Sequence, residues 1–194
     1  MKNDFMNYRK MLNDALDTVD QEPLDMMKRE MVRLAKNNYP LFVCGNGGSA
    51  AIAEHLSCDH NKGVCTDTNL YPFIVSLGSN VSLITAIAND IGYEEIFSKQ
   101  VQWFGNWRAG LLAISSSGNS PNIINALKAA KNSNMSIMSM VGFDGGAAKD
   151  LSDICVHIKS DNYGVVEDCH QILMHSIAQS VRIEYAVENA ALKL

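Results

Sequence analysis

Apolar residues recur at helical spacing at the start of the chain and fall into short runs after it. Phe5, Tyr8, Leu12, Leu16 and Val19 lie on one helical stripe. Glu22-Pro23 suits a helix start, and Leu24, Met27, Met31 and Leu34 form a second stripe. Residues 1–38 therefore read as an N-terminal helical pair. Packing on the domain takes one apolar face of such a pair, and a partner subunit is a natural home for the rest.

From Tyr39 onward the runs 41–44 (LFVC), 73–77 (FIVSL), 111–115 (LLAIS), 136–141 (SIMSMV) and 154–158 (ICVHI) read as strands. Helical patterns separate them near 49–59, 80–89, 94–104 and 120–132, and a last helix spans roughly 166–192 with Leu173, Ile177, Val181 and Tyr185 on one stripe. Buried runs alternating with helices indicate an α/β fold with a parallel sheet covered on both faces. No repeat or low-complexity linker breaks the 194 residues, so residues 1–194 form one expected domain.

Composition narrows the function classes. A formal charge of −5 and the lack of a dense Lys/Arg cluster argue against nucleic acid. No apolar run approaches the ~20 residues of a membrane span, and the polar opening MKNDFMNYRK lacks a secretory signal. Cys44, Cys58, Cys65, Cys155 and Cys169 are odd in number and show no CxxC spacing, so free thiols in a reducing cytoplasm are expected.

Two strand ends carry small polar residues followed by a helix. Gly45-Asn46-Gly47-Gly48-Ser49 follows LFVC, and Ser115-Ser116-Ser117-Gly118-Asn119-Ser120 follows LLAI. Turns of this kind present backbone N–H groups and hydroxyls at a positive helix end, which suits phosphate or sugar hydroxyls. Gly45, Gly47 and Ala50 also satisfy the dinucleotide pattern, but that motif wants a carboxylate after the second strand. Here Gly78-Ser79-Asn80 follows it, and Asp67 precedes it. There is no GK[ST] and no GxSxG. Ser120-Pro121 makes a good helix cap, yet a cap does not require three further serines. A phosphate cradle at Ser115, Ser116, Ser117 and Ser120 is the reading we favour.

His55 and Asp59 share a helix face, ~6 Å apart along the axis. Glu167, Asp168, His170 and His175 cluster in the last helix. Imidazoles and carboxylates from two helices could hold zinc or a similar ion. Eight positions separate Glu167 from His175, ~12 Å on a straight helix, so both reach one ion only if Glu167 sits in a turn near Tyr163-Gly164.

With these residues in place, the chain resembles the sugar isomerase (SIS) domain and, within it, the phosphoheptose isomerases. The likeness rests on CGNGGS (44–49), the His55 helix, AIANDIGYEEIFSKQV (86–101), AISSSGNSPNII (113–124), VGFDGG (141–146) and the His175 helix. The resemblance implies a three-layer α/β/α sandwich with a five-stranded parallel sheet, and a homotetramer with active sites between subunits. It implies phosphate contacts from Ser115, Ser116, Ser117 and Ser120. Asn46, Gly47, Gly48, Ser49, Asn89, Asp90 and Glu167 would contact substrate. His55, Asp59, Glu167 and His175 would hold zinc, with Asp59 and His175 in the two catalytic positions. The family's usual glutamate is Asp59 here, its usual glutamine is Glu167, and an arginine after the metal helix is missing, with Lys62 nearby.

The activity so implied is aldose–ketose isomerisation of sedoheptulose 7-phosphate to D-glycero-D-manno-heptose 7-phosphate, serving lipopolysaccharide or capsule heptose. A proton must move between C1 and C2, with Asp59 as the candidate base and His175 as the acid, or with a bound water or His175 as base if Asp59 is committed to the metal. The rival is a non-catalytic SIS-domain protein that binds a sugar phosphate or a replication initiator. It predicts no metal and no turnover.

Overall fold

A computed structural model describes residues 2–186. The N-terminal pair is present as α1 (Lys2–Leu16) and α2 (Gln21–Lys36). The second helix begins ahead of Glu22 because Asp20 caps it, accepting a 3.0 Å hydrogen bond from the Glu22 N–H. Five strands follow, namely β1 (Pro40–Gly45), β2 (Phe73–Ser76), β3 (Gly110–Ser115), β4 (Ser136–Val141) and β5 (Ile154–His157). All neighbours pair in parallel, in the order β2-β1-β3-β4-β5.

The helices that connect them are α3 (Gly48–Cys58), α4 (Cys65–Asp67), α5 (Val81–Asp90), α6 (Ser98–Phe104), α7 (Pro121–Asn132), α8 (Gly146–Leu151) and α9 (Tyr163–Glu184). Between α3 and α4 lies a π-helical stretch, Asp59–Val64, where the sequence pattern places a helix end. Cys58, Asp59 and Cys65 all keep right-handed helical dihedrals, so the rod runs on to Asp67 with one widened turn. Its register shift turns His60 into an apolar pocket lined by Met31, Val32, Val64 and Val181. The expected 94–104 helix divides into a 3₁₀ turn (Tyr93–Glu95) and α6. The last helix starts earlier than expected because Asn162 caps it through the Val165 N–H, and residues 187–192 of the expected span lie outside the described residues.

Strand alternation builds two cores. On β3, Leu112 and Ile114 face a cluster with Val43, Leu56, Met140, Val166 and Met174, under α2, α3 and α9. Leu111 and Ala113 face the other way, joining Phe97, Ile123, Leu127 and Ile137 under α6 and α7. The result is the expected three-layer α/β/α sandwich. Each fully buried Leu or Ile contributes about 1.5–3 kcal/mol. Tyr8 ties α1 to α9 by donating a 2.7 Å hydrogen bond to Asp168. Burial and that carboxylate push the Tyr8 hydroxyl up to about 12.

The chain winds from β1 outward to β2, then returns to β3 on the other side of β1. The crevice beyond the C-terminal ends of β1 and β3 is therefore the topological switch point, where open α/β sheets bind ligands.

Candidate active site

Both Gly/Ser loops open into that crevice. Asn46 and Asn122, one from each loop region, pair their amides face to face through two 2.9 Å hydrogen bonds. Tyr93 donates to the Asn46 oxygen at 3.4 Å. The Asn46 side chain, expected on the sugar, thus also braces the two loops. Asn122 and Tyr93 carry no motif that singles them out, and only their positions in space show this role.

Between the loops lies a recess of about 120 Å³, lined by Asn46, Ser49, Ser115, Ser116, Ser117, Ser120, Tyr163 and Glu167. The four serines are not equivalent. Ser115 accepts from the Gly118 N–H at 3.2 Å and Ser117 from the Asn119 N–H at 3.3 Å, bonds that shape the turn. Gly118 at φ +64 turns the chain there, and a side chain would collide with Gly145. Ser116 is buried and its hydroxyl has no partner. Ser120 occupies the N-cap of α7, but its side chain makes no capping bond. The sequence had supplied a cap there. Instead the hydroxyl is free of that duty at the positive end of a 12-residue helix. A tetrahedral anion would satisfy both hydroxyls and the helix end.

Glu167 sits on the opposite wall, inside α9 rather than in the turn before it. Its carboxylate lies directly against Gly48, so close that any side chain at Gly48 would overlap it. Gly48 opens α3, where the Ser49, Ala50 and Ala51 N–H groups already bond to the Asn46 and Gly47 carbonyls. Gly47, at φ +55, gives the turn into α3 a backbone that glycine adopts most readily. Asn89 and Asp90 are exposed at the end of α5, hydrogen-bonded to each other at 2.7 Å, and line no part of the recess.

One turn beyond Glu167, α9 meets the helix that carries His55 and Asp59. His55 Nε2 lies 3.4 Å from Asp59 Oδ1, and His175 Nε2 lies 3.3 Å from Asp59 Oδ2. Ligand atoms of all three come within 4.8 Å of one another. The two rings meet edge to face at 4.8 Å. A tetrahedral zinc with bonds near 2.0–2.1 Å spaces its ligands about 3.3–3.4 Å apart, and each imidazole stands at about that distance from one oxygen of Asp59. The donor set, two imidazoles and a carboxylate, suits it too.

Glu167 does not join this group. The condition for its joining, a place in the turn before the helix, is not met. Gln171 lies against the two imidazoles instead, with its amide nitrogen 2.9 Å from His55 Nδ1 and 3.3 Å from His175 Nε2. Its spacing of four from His175 was the one signal available in the sequence. A larger recess of about 240 Å³ continues past the group, lined by Asp59, Lys62, Asp67, His175, Gln179 and Arg182. Lys62 thus lines the same recess as Asp59 and His175, and Arg182 is held on Asp67.

His60 and His170 are both buried, and burial pulls the pKa of each down to about 4. Neither belongs to the His55–Asp59–His175 group.

Comparison with known proteins agrees with this layout. The SIS domain profile matches residues 4–142. A phosphoheptose isomerase of Helicobacter pylori is 32% identical over 97% of this chain and 97% of its own length. One from Aliarcobacter butzleri is 34% identical over 92% of this chain and 93% of its own. The solved phosphoheptose isomerase GmhA of Neisseria gonorrhoeae superposes with a TM-score of 0.83 at 30% identity, covering 93% of this chain and 95% of its own. With two glycine- and serine-lined loops at the switch point and near full-length likeness to these enzymes, the chain belongs to the SIS domain family, among the phosphoheptose isomerases.

Proposed function

We propose that the protein interconverts sedoheptulose 7-phosphate and D-glycero-D-manno-heptose 7-phosphate, in heptose biosynthesis for lipopolysaccharide or capsule. The observation that carries this is the distance between two sites of different chemistry along one groove. Glu167, on the wall of the serine recess, and His175, in the imidazole–carboxylate group, are eight residues apart on α9, ~12 Å along its axis. An open-chain heptulose phosphate spans ~10 Å from C1 to phosphorus at ~1.2 Å per bond. The phosphate in the recess then places C1 and C2 at the histidines.

Ser116 and Ser120 donate to the phosphate, and Ser115 and Ser117 hold the loop that aims them. The positive end of α7 adds its charge at the same spot. Asn46, braced by Asn122, faces the sugar hydroxyls. Asp59 removes the proton from C1 and returns it at C2. His175 exchanges a proton with the oxygens of the enediol, its ring held within 3.3 Å of Asp59. His55, Asp59 and His175 would hold one zinc ion per site, which would polarise the carbonyl and stabilise the enediolate. Such a role for Asp59 joins ligand and base in one side chain.

The same reading makes the protein a cytoplasmic homotetramer with sites between subunits and the 1–38 helices used in packing. Phe5, Met6 and Met11 support it, since α1 leaves these large apolar side chains exposed. The test is turnover of sedoheptulose 7-phosphate by purified protein, followed by separation of the aldose product. Asp59→Asn and His175→Asn should each lose at least ~100-fold in kcat, as expected for a general acid or base, with the fold intact. Unaltered turnover in either variant refutes the roles given.

A further inference from the structure

Resting on the reaction proposed above, we infer that Asp67 and Arg182 are a positioning pair for Asp59, because they fix the rotation of the rod that carries it. The rod runs from α3 through the π-turn to the end of α4 at Asp67 and meets α9 at two rungs. At the first, His175 Nε2 lies 3.3 Å from Asp59 Oδ2. At the second, Arg182 donates from both Nε and Nη2 to Asp67 Oδ2, each at 2.5 Å. Only 33% of the Arg182 side chain and 18% of the Asp67 side chain are exposed, so solvent screens the pair incompletely.

The π-turn is what lets both rungs form. His175 and Arg182 are seven residues apart on α9, so they return to one face, ~20° short of two full turns at ~100° per residue. Asp59 and Asp67 are eight apart. On an unbroken α-helix eight residues carry a side chain ~80° past its starting face, and Asp67 would turn away from Arg182. A π-turn takes up one extra residue, so eight residues turn about as far as seven do in the α-form. The widened turn begins at Asp59 itself. Just past the rod, Thr68 bridges Ala186 beyond α9 and keeps the two ends close. A backbone bridge sets a distance, whereas two bonds gripping one face set a rotation. The recess of about 240 Å³ is the space between the rungs, with Asp59 and His175 at one end and Asp67 and Arg182 at the other. Neither Asp67 nor Arg182 lines the serine recess, so the pair acts on the reacting end and not on the hold on phosphate.

The test is steady-state turnover of sedoheptulose 7-phosphate by the full chain, with kcat and KM separated. Arg182→Leu should lose at least ~10-fold in kcat, since a misplacement of about 1 Å can cost ~100-fold, while KM stays within about threefold. Arg182→Lys, which keeps a charged donor for Asp67, should recover most of that loss. Asp67→Asn removes one charge of the pair and keeps an oxygen. It should lose at least ~3-fold in kcat, and it covers the case in which the leucine variant fails to fold. Lys28→Met is the control. It breaks a 3.0 Å ion pair to Glu184 at the same end of α9 and should leave kcat within about twofold. Amide exchange across residues 59–67 should quicken in Arg182→Leu and match the wild type in Lys28→Met. Wild-type kcat in Arg182→Leu or Asp67→Asn, or an equal loss of kcat in Lys28→Met, overturns the positioning role and leaves the proposed reaction standing. A wild-type chain that turns over no sedoheptulose 7-phosphate defeats that reaction. Amide exchange then tests the pair by itself, and unaltered exchange in Arg182→Leu overturns it.

Discussion

Replacing Ser116 by alanine should strengthen the unliganded protein and weaken its hold on substrate. The hydroxyl is buried and has no hydrogen-bond partner. Leaving such a group unsatisfied costs about 1–3 kcal/mol, and alanine removes the group along with its cost. The side chain is small, so the cavity left behind takes back little of that gain. In the complex the balance reverses. A hydrogen bond to a charged phosphate contributes about 1.5–3 kcal/mol, which is roughly 10–150-fold in affinity. Ser116→Ala should therefore melt higher than the wild type without ligand, and its KM for sedoheptulose 7-phosphate should rise by one to two orders of magnitude, with kcat less affected. Ser117→Ala is the control of opposite sign. Its oxygen accepts from the Asn119 N–H at 3.3 Å, so its loss should cost the free protein about 0.5–1.5 kcal/mol. A Ser116→Ala protein that is less stable and binds substrate normally would show the hydroxyl to be structural, and the phosphate recess would lose its main support.

Two further expectations come from buried and crowded groups. His60 and His170 have folded pKa values of about 4 because burial disfavours their charged forms. Between the ordinary value near 6.5 and 4 the unfolded chain binds a proton that the folded chain refuses, so stability falls as pH drops through that window and is untouched above it. At pH 5 the loss is about 2 kcal/mol for each histidine. Urea denaturation at pH 7.5 and pH 5 measures it, and His170→Leu should remove about half of the histidine share; an equal drop in wild type and variant contradicts the reasoning. Gly48→Ala gains up to ~1 kcal/mol of helix propensity but drives its methyl into the Glu167 carboxylate. The melting temperature should barely move, while KM rises as the displaced anion enters the phosphate recess. An unchanged KM would show that Glu167 has room to move elsewhere.

The sequence showed most of the framework because its signals are local. Short apolar runs marked all five strands, within one or two residues at their ends, and the three central strands are buried on both faces. Gly-, Ser- and Asn-rich turns marked the two loops of the crevice. The helix start at Gln21 was displaced from Glu22-Pro23 by the stronger cap at Asp20. What stayed hidden depends on through-space geometry. The π-turn at Asp59–Val64 has no compositional signature, yet it sends His60 inward beside a residue that faces the site. Ser120 has the sequence of a cap and leaves its hydroxyl uncommitted. Family position brings Glu167 to the site, and only the start of α9 at Tyr163 shows it inside the helix, with its carboxylate beside Gly48. Gln171 was passed over because an amide in a helix is ordinary until two imidazoles are found against it.

The most direct measurement is incubation of the zinc-loaded protein with sedoheptulose 7-phosphate in deuterium oxide, followed by proton and carbon NMR of the sugar. A base at Asp59 that works through an enediol exchanges its proton with solvent, so the aldose product should carry deuterium at C2. Folded, metal-loaded protein that returns the ketose unchanged, with its carbon-bound protons intact, would contradict the account.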